Sequence, residues 1–497
     1  MLFNSFSFLI FFPIVILINF ILPKKVRYLW LLAASYYFYM NWDAKYVLLL
    51  LFSTVVTYLS GIALEEVGKV RKKALRKRYA KLVVAVSFVL NLSLLFFFKY
   101  LFFTIDSLNL LLDNFNIQIP NPEFSLLLPV GISFYIFQAL SYTMDVYRKT
   151  IQAERNFFRY ALFVSFFPQL VAGPIERSGN LLSQLKEPHD FKYENMRDGL
   201  LLMLWGYFMK MVIADRIAIF VDAVYADVNQ YTGIYLLIAS VLFAFQIYCD
   251  FAGYSTIAIG AAEILGIRLM ENFNCPYFAT NIGEFWRRWH ISLSTWFRDY
   301  LYIPLGGNRK GTLCKYRNQL IVMLVSGLWH GANWTYVVWG GLHGIYQVMG
   351  SVLKPVRDKV NQVLHLKTDS IGHKIGCGIF TFILVDFAWI FFRASSFTEA
   401  CTVISGIWNM DNVHLLWGDA LYQLGLNQKN FTVMIVSIVV LLVADLAKYK
   451  GIQIRKIILE QELWCRWLCY IVGVMVILIF GIWGANYDAS NFIYFQF

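Results

Sequence analysis

The chain has 497 residues, 59% of them hydrophobic and only 15% charged, more apolar surface than one soluble core can hide, so its natural solvent is the bilayer. Its net charge of +12 does not mark a nucleic-acid partner, because the basic residues are segregated along the chain as they are in loops on opposite sides of a membrane. The seven cysteines are scattered without a CxxC pair and read as small buried hydrophobes, not as a disulfide framework or a zinc site.

A membrane crossing needs about 20 apolar residues, since a helix rises about 1.5 Å per residue through a hydrocarbon layer about 30 Å thick. The first such run, 3–22, has no basic residue before it and no small-residue cleavage site behind it, so it reads as a retained helix and not a signal peptide. Lys24, Lys25 and Arg27 follow it and place its inner end in the cytoplasm, with the N-terminus outside. Further spans are predicted at 28–40, 46–64, 82–103, 126–144 and 157–172. Eight of the thirteen residues from Lys69 to Lys81 are Lys or Arg, whereas 101–147 has none and carries Asp106, Asp113 and Glu123. The run 157–172 is short and leads into Ala172, Gly173 and Pro174, so it is predicted to be re-entrant and to wall a pocket, because irregular backbone at membrane depth must be buried in protein or line a wet cavity.

Spans then follow at 200–220, 235–265, 319–334, 337–353, 375–392, 431–446 and 468–483. The expected fold class is an all-α polytopic membrane protein with about ten to twelve crossings, the remaining candidates being re-entrant or interfacial. The basic loop around Lys448, Lys450, Arg455 and Lys456 belongs inside, which puts the tail 491–497 outside with the N-terminus. No linker and no internal repeat divides the chain, so a single membrane domain over 1–497 is the simplest partition, with anionic membrane lipid as a compatible surface partner.

Three polar stretches carry candidate chemistry. Residues 281–307 (NIGEFWRRWHISLSTWFRDYLYIPLGG) are too charged to cross lipid alone and too aromatic for a free loop. Drawn as a helix, they align Trp286, Trp289, Leu293 and Trp296 on one side and Arg287, Ser294 and Arg298 on another. That pattern fits either an interfacial helix anchored by Trp and Arg or a site where Arg287, Arg288 and Arg298 grip the phosphates of a carrier such as coenzyme A or a phosphopantetheine arm. In residues 326–344 (SGLWHGANWTYVVWGGLHG), His330 and His343 lie within an apolar region, where an ionisable group is costly and either serves a pathway or reaction or is a hydrogen-bonded structural residue. His330 is the better base, because Trp329, Gly331, Ala332 and Asn333 around it interrupt a helix and leave room for a substrate. In residues 246–260 (QIYCDFAGYSTIAIG), Asp250 either packs helices through a hydrogen bond or lines a tunnel. His290, His330 and His343 are three possible metal ligands, but the chain has neither the HExxH helix nor close His pairs, and no GxSxG elbow, so no metal and no serine nucleophile is expected.

At these residues the sequence resembles the membrane-bound O-acyltransferase family, in the bacterial branch typified by alginate O-acetyltransferase. The resemblance runs through 128–148 (LPVGISFYIFQALSYTMDVYR), 167–174 (FPQLVAGP), 246–260, 286–307, 326–332 (SGLWHGA), 387–394 (FAWIFFRA) and the terminal FIYFQF, nearly the whole chain. It implies a helical membrane bundle around a central tunnel, with His330 at the position of the family's catalytic histidine and His290 at that of the second tunnel histidine. The role of His343 is left open by it. At Thr256 and Asp386 the chain departs from the usual Asp and Asn, and no chemistry is assigned to either.

The resemblance further implies acetyl transfer from a cytoplasmic thioester donor, acetyl-CoA or another acyl thioester, with no bound cofactor. The acceptor would be an exported or cell-envelope polysaccharide, reached with an extracytoplasmic acetyltransferase or a small membrane acceptor protein, at the cytoplasmic (inner) membrane. A related alternative is D-alanyl transfer from a carrier protein to teichoic acid, against which the length and the FIYFQF ending speak. A polysaccharide-precursor transporter or flippase is the alternative of another class, since buried ionisable residues also mark transport pathways, but the paired hydropathy halves common in transporters are not visible.

Overall fold

The computed structural model describes residues 1–122, 128–171, 173–483 and 492–493, and among them the chain is helical with no strand. Six of the helices are long and apolar enough to cross a membrane: Ala44–Gly68, Lys73–Phe115, Ile234–Ile264, Ile371–Arg393, Gln428–Tyr449 and Leu463–Phe480. The other segments expected to cross are helices that are shorter, more polar or broken. Glu123, Ala172 and the tail except Phe492 and Ile493 lie outside the described residues, so the expected side of the C-terminus falls there too.

The chain divides into two compact units, Met1–Met203 with Ile257–Met270, and Leu204–Thr256 with Glu271–Phe497. In the first, Val47–Gly68 packs on Lys73–Leu95 and on Ile132–Tyr147, and the last of these is buried on nearly every side. Lipid tails are as apolar as leucine, so helices of a membrane protein hold together through close backbone approach and hydrogen bonds between polar side chains. Both devices are present. A Cβ on Gly61 would stand 2.5 Å from the Tyr142 hydroxyl. The Ser53 hydroxyl donates to Asn91 Oδ1 at 2.6 Å, Ser60 and Thr143 share a 2.8 Å bond, and the Tyr160 hydroxyl donates to Thr57 Oγ1 at 2.7 Å.

The segment expected to be re-entrant is a broken one. The helix Phe157–Ser165 is nine residues long, too short to cross, and is followed by the single turn Phe167–Leu170. Its loosened backbone is buried and satisfied by side chains: Gln138 Nε2 donates to the Phe163 carbonyl at 2.5 Å and Ser35 Oγ accepts the Phe167 N–H at 3.1 Å.

In the second unit the helices Thr312–His330 and Trp334–Val352 form a tight hairpin. Glycine sets its spacing. A Cβ on Gly327 would come 2.2 Å from the Tyr336 carbonyl oxygen, and one on Gly340 2.3 Å from that of Met323. Gly340→Ala must therefore push two backbones apart, and is expected to lower thermal stability in detergent by about 1–3 kcal/mol, the usual range for overpacking. An unchanged melting temperature for this variant would contradict the close approach.

Candidate active site

His330 is the last residue of Thr312–His330, and the chain turns at Gly331, where any side chain would meet the Tyr336 ring at 2.0 Å. The turn delivers the imidazole into an aromatic enclosure. Its ring centroid is 5.0 Å from Trp329, 5.0 Å from Trp339 and 5.4 Å from Phe392, and the residue is 3% exposed. Across from it is His290, with the two imidazole centroids 6.3 Å apart. The two histidines singled out in the sequence are thus brought together from elements forty residues apart.

His290 reaches this place by a backbone break. The helix drawn through Trp286, Trp289, Leu293 and Trp296 is in fact two, Ile282–Arg288 and Ile291–Phe297, separated at Trp289 and at His290, which is left-handed at φ 42°. Such a conformation costs an L-residue about 1–2 kcal/mol. The loop at Asn272 over-determines it: the Asn272 carbonyl accepts the Ile291 N–H at 2.9 Å, and Asn274 donates to the Arg288 carbonyl at 2.9 Å. Asn272 Oδ1 also accepts the Ser292 N–H at 3.2 Å and the Ser292 hydroxyl at 2.9 Å. An atom that takes a backbone N–H must be the amide oxygen, so His290 Nδ1, 3.2 Å from the same oxygen, carries the hydrogen and donates it. A neutral His290 in this arrangement has Nε2 as the basic nitrogen of its ring. Asn272 was not apparent in the sequence, where nothing distinguishes it from any loop asparagine.

His343 has the opposite tautomer. The Trp286 indole can only donate, and its Nε1 is 3.2 Å from His343 Nδ1, so the hydrogen of a neutral His343 sits on Nε2. The ring lies parallel to Phe285 at 5.9 Å and 5.0 Å from Trp339, which stands between it and His330.

Beside the two helices of the 281–298 segment is a cavity of about 480 Å³. Its wall includes Trp286, Arg287, Ile291, Ser294, Arg298 and Ser326. Neither histidine lines this cavity: Ile291 of the wall follows His290 in the chain and Ser326 of the wall is one helical turn before His330, while both imidazoles are buried. Of the three arginines proposed for a carrier, Arg287 and Arg298 line the cavity, and Arg298 also pairs with Asp299 at 2.8 Å. Arg288 does not line it: its guanidinium bonds Glu284 at 2.9 Å and the Asn274 carbonyl at 3.2 Å and covers the Tyr449 ring.

The remaining candidates have structural partners. Trp289 is fully buried among Phe273, Phe285 and Trp389, and Trp329 packs beside both imidazoles, 5.0 Å from His330 and 6.0 Å from His290. Asn333 caps Trp334–Val352, accepting the Thr335 N–H at 3.0 Å, and donates to the Ser395 carbonyl at 2.9 Å. Asp250 is buried and bonded: Oδ1 is 2.6 Å from Lys210 Nζ, and Oδ2 accepts the Ile493 N–H at 2.8 Å. It is absent from the cavity wall and holds the chain at Ile493, with the Phe492 ring tilted against Tyr254 at 4.3 Å.

Comparison with known proteins agrees with this helical membrane body. The model of the membrane-bound O-acyltransferase family matches residues 39–397, and the chain belongs to that family. It is a multi-pass membrane protein and an O-acyltransferase. It is 39% identical over 412 residues to a probable alginate O-acetylase of Pseudomonas putida, covering 83% of this chain and 81% of the relative. It is 36% identical over 413 residues to a peptidoglycan O-acetyltransferase of Helicobacter pylori, covering 78% and 75%. A teichoic acid D-alanyltransferase of Streptococcus thermophilus is 30% identical over 257 residues, covering 48% of this chain and 60% of the relative.

Proposed function

We propose that the protein transfers an acetyl group from a cytoplasmic thioester, acetyl-CoA in the first instance, toward a hydroxyl of an exported or cell-envelope polysaccharide. The observation that carries this reading is the pair His290 and His330, with imidazole centroids 6.3 Å apart, on the elements that also supply Ile291 and Ser326 to the wall of the arginine-lined cavity. The relatives aligned along most of the chain are named for acetyl transfer to alginate and peptidoglycan, whereas the D-alanyl transferase matches 48% of it, which favours acetyl over D-alanyl transfer. In this reading the cavity opens to the cytoplasmic side of the cytoplasmic membrane, with both chain ends outside; the basic residues Arg309, Lys310, Lys315 and Arg317, which follow the 281–307 stretch in the chain, support it by the positive-inside rule.

In this scheme His330 accepts the proton of the attacking hydroxyl as its oxygen bonds to the thioester carbonyl carbon. The C–S bond then breaks, and the proton passes to the departing thiolate. His290, held in one tautomer by Asn272, assists by accepting a hydrogen bond through Nε2. The hydroxyl belongs either to the glycan or to a small membrane acceptor protein or an extracytoplasmic acetyltransferase that relays the group.

Arg287 and Arg298 contact the nucleotide phosphates of the donor. Losing one charge-assisted contact of about 1.5–3 kcal/mol is expected in Arg287→Gln to raise KM for acetyl-CoA at least tenfold with little change in kcat. Acetyl-pantetheine, which lacks those phosphates, should be used equally well by variant and wild type. An Arg287→Gln enzyme impaired equally with both donors would contradict the assignment.

A further inference from the structure

The first unit holds a second cavity, of about 360 Å³, at the end of the helix Phe6–Ile21, within the range of about 300–1,000 Å³ usual for ligand sites. Lys24, Lys25, Arg27, Arg159 and Lys186 line it against a single lining carboxylate, Glu187. Part of this charge is met from outside the wall. Lys24 pairs with Asp190 at 2.7 Å and holds that carboxyl below its ordinary range, and Glu154 takes Lys186 at 3.0 Å and Arg159 at 3.5 Å. Two cations make no contact ion pair among the described residues: Arg27, which acts on Asp190 only at longer range, directs its N–H groups to the carbonyls of Leu22, His189 and Phe20, and Lys25 pairs with no carboxylate.

A third feature points to a ligand. Asn19 lines the same cavity, is 4% exposed, and its Oδ1 has no hydrogen-bond partner among the described residues. Buried amides are nearly always satisfied, so this one is suited to a polar group brought in by a ligand. On the opposite face of the same helix end, outside the cavity, Leu17 and Ile21 are largely exposed, an apolar strip for hydrocarbon.

We propose that this cavity binds the headgroup of an anionic phospholipid, its phosphate at the helix end between Lys25 and Arg27, its headgroup hydroxyls reaching in to the Asn19 amide, and its acyl chains leaving over the helix end to the exposed face of Leu17 and Ile21. Free phosphate would meet the same cations but would gain nothing from the apolar strip or from Asn19. Clustered basic residues at the cytoplasmic surface attract anionic lipid with a strength corresponding to about a fivefold change in affinity per charge.

The test uses the full chain in nanodiscs of phosphatidylcholine with graded phosphatidylglycerol, with retained lipid counted by native mass spectrometry. Wild type is expected to retain phosphatidylglycerol in preference to phosphatidylcholine. Lys25→Ala, at an exposed position that cannot unfold the chain, should weaken that retention about fivefold, and Asn19→Leu should weaken it further. Equal retention by wild type and Lys25→Ala would overturn the proposal. Displacement of the lipid by millimolar inorganic phosphate as readily as by short-chain phosphatidylglycerol would overturn the lipid as the source of the phosphate.

Discussion

His330→Ala is expected to lower acetyl transfer from acetyl-CoA in proteoliposomes by at least a factor of about 100, the lower end of what a positioned general base contributes. The ring has a defined place: it ends its helix, Gly331 permits the turn, and Trp329, Trp339 and Phe392 surround it. His330→Gln fills most of the same volume and should be as slow as the alanine variant while melting like wild type, which separates loss of the base from loss of packing. His290→Ala should also be impaired, because the proposed scheme uses its Nε2 as a hydrogen-bond acceptor. His343 differs. Its Nδ1 is engaged by the Trp286 N–H, so it holds Trp286 in the cavity wall, and His343→Ala should retain far more activity than His330→Ala. Near-normal turnover by His330→Gln would remove His330 from the mechanism.

Lys210→Met is expected to destabilise the protein by about 3–5 kcal/mol, read as thermal unfolding in detergent, without any part in the chemistry. Lys210 Nζ lies 2.8 Å from Asp215 Oδ1 and 2.6 Å from Asp250 Oδ1, and all three side chains are almost fully buried. The lysine is carried by the loosened turn Phe208–Ala214, and its ammonium also faces the Tyr254 and Phe492 rings. Removing it leaves two carboxylates buried together with no cation between them. Replacing the whole group usually costs little, so Lys210→Met combined with Asp215→Asn and Asp250→Asn should recover most of the loss. A triple variant no more stable than Lys210→Met would mean that packing, not charge, accounts for the effect.

The apolar runs fixed most helices before any coordinates, because a residue-by-residue need to bury hydrocarbon is visible in a window of the chain. His330 was legible for the same reason: an ionisable group amid Trp, Gly and Ala in an apolar region stands out. The break at His290 was not. Residues 281–298 keep the amphipathic period of one helix, and the left-handed residue that divides them is held by Asn272, whose hydrogen bonds are long-range and leave no local pattern. Asp250 could be read as buried, but its partner Lys210 is forty residues away on another turn, so helix packing and tunnel lining could not be told apart. Asn333 shows the reverse case. An Asn directly before an apolar helical run is an N-cap signal, and the structure gives Asn333 that role where the sequence reading assigns it only substrate space.

The most direct test of the account is a structure of the full chain with a non-hydrolysable thioether analogue of acetyl-CoA. The account predicts the nucleotide phosphates at Arg287 and Arg298, the arm passing Ser326, and the carbonyl carbon between the His290 and His330 rings. An arm that ends elsewhere, with both imidazoles still enclosed behind Trp286 and Ser326, would contradict it.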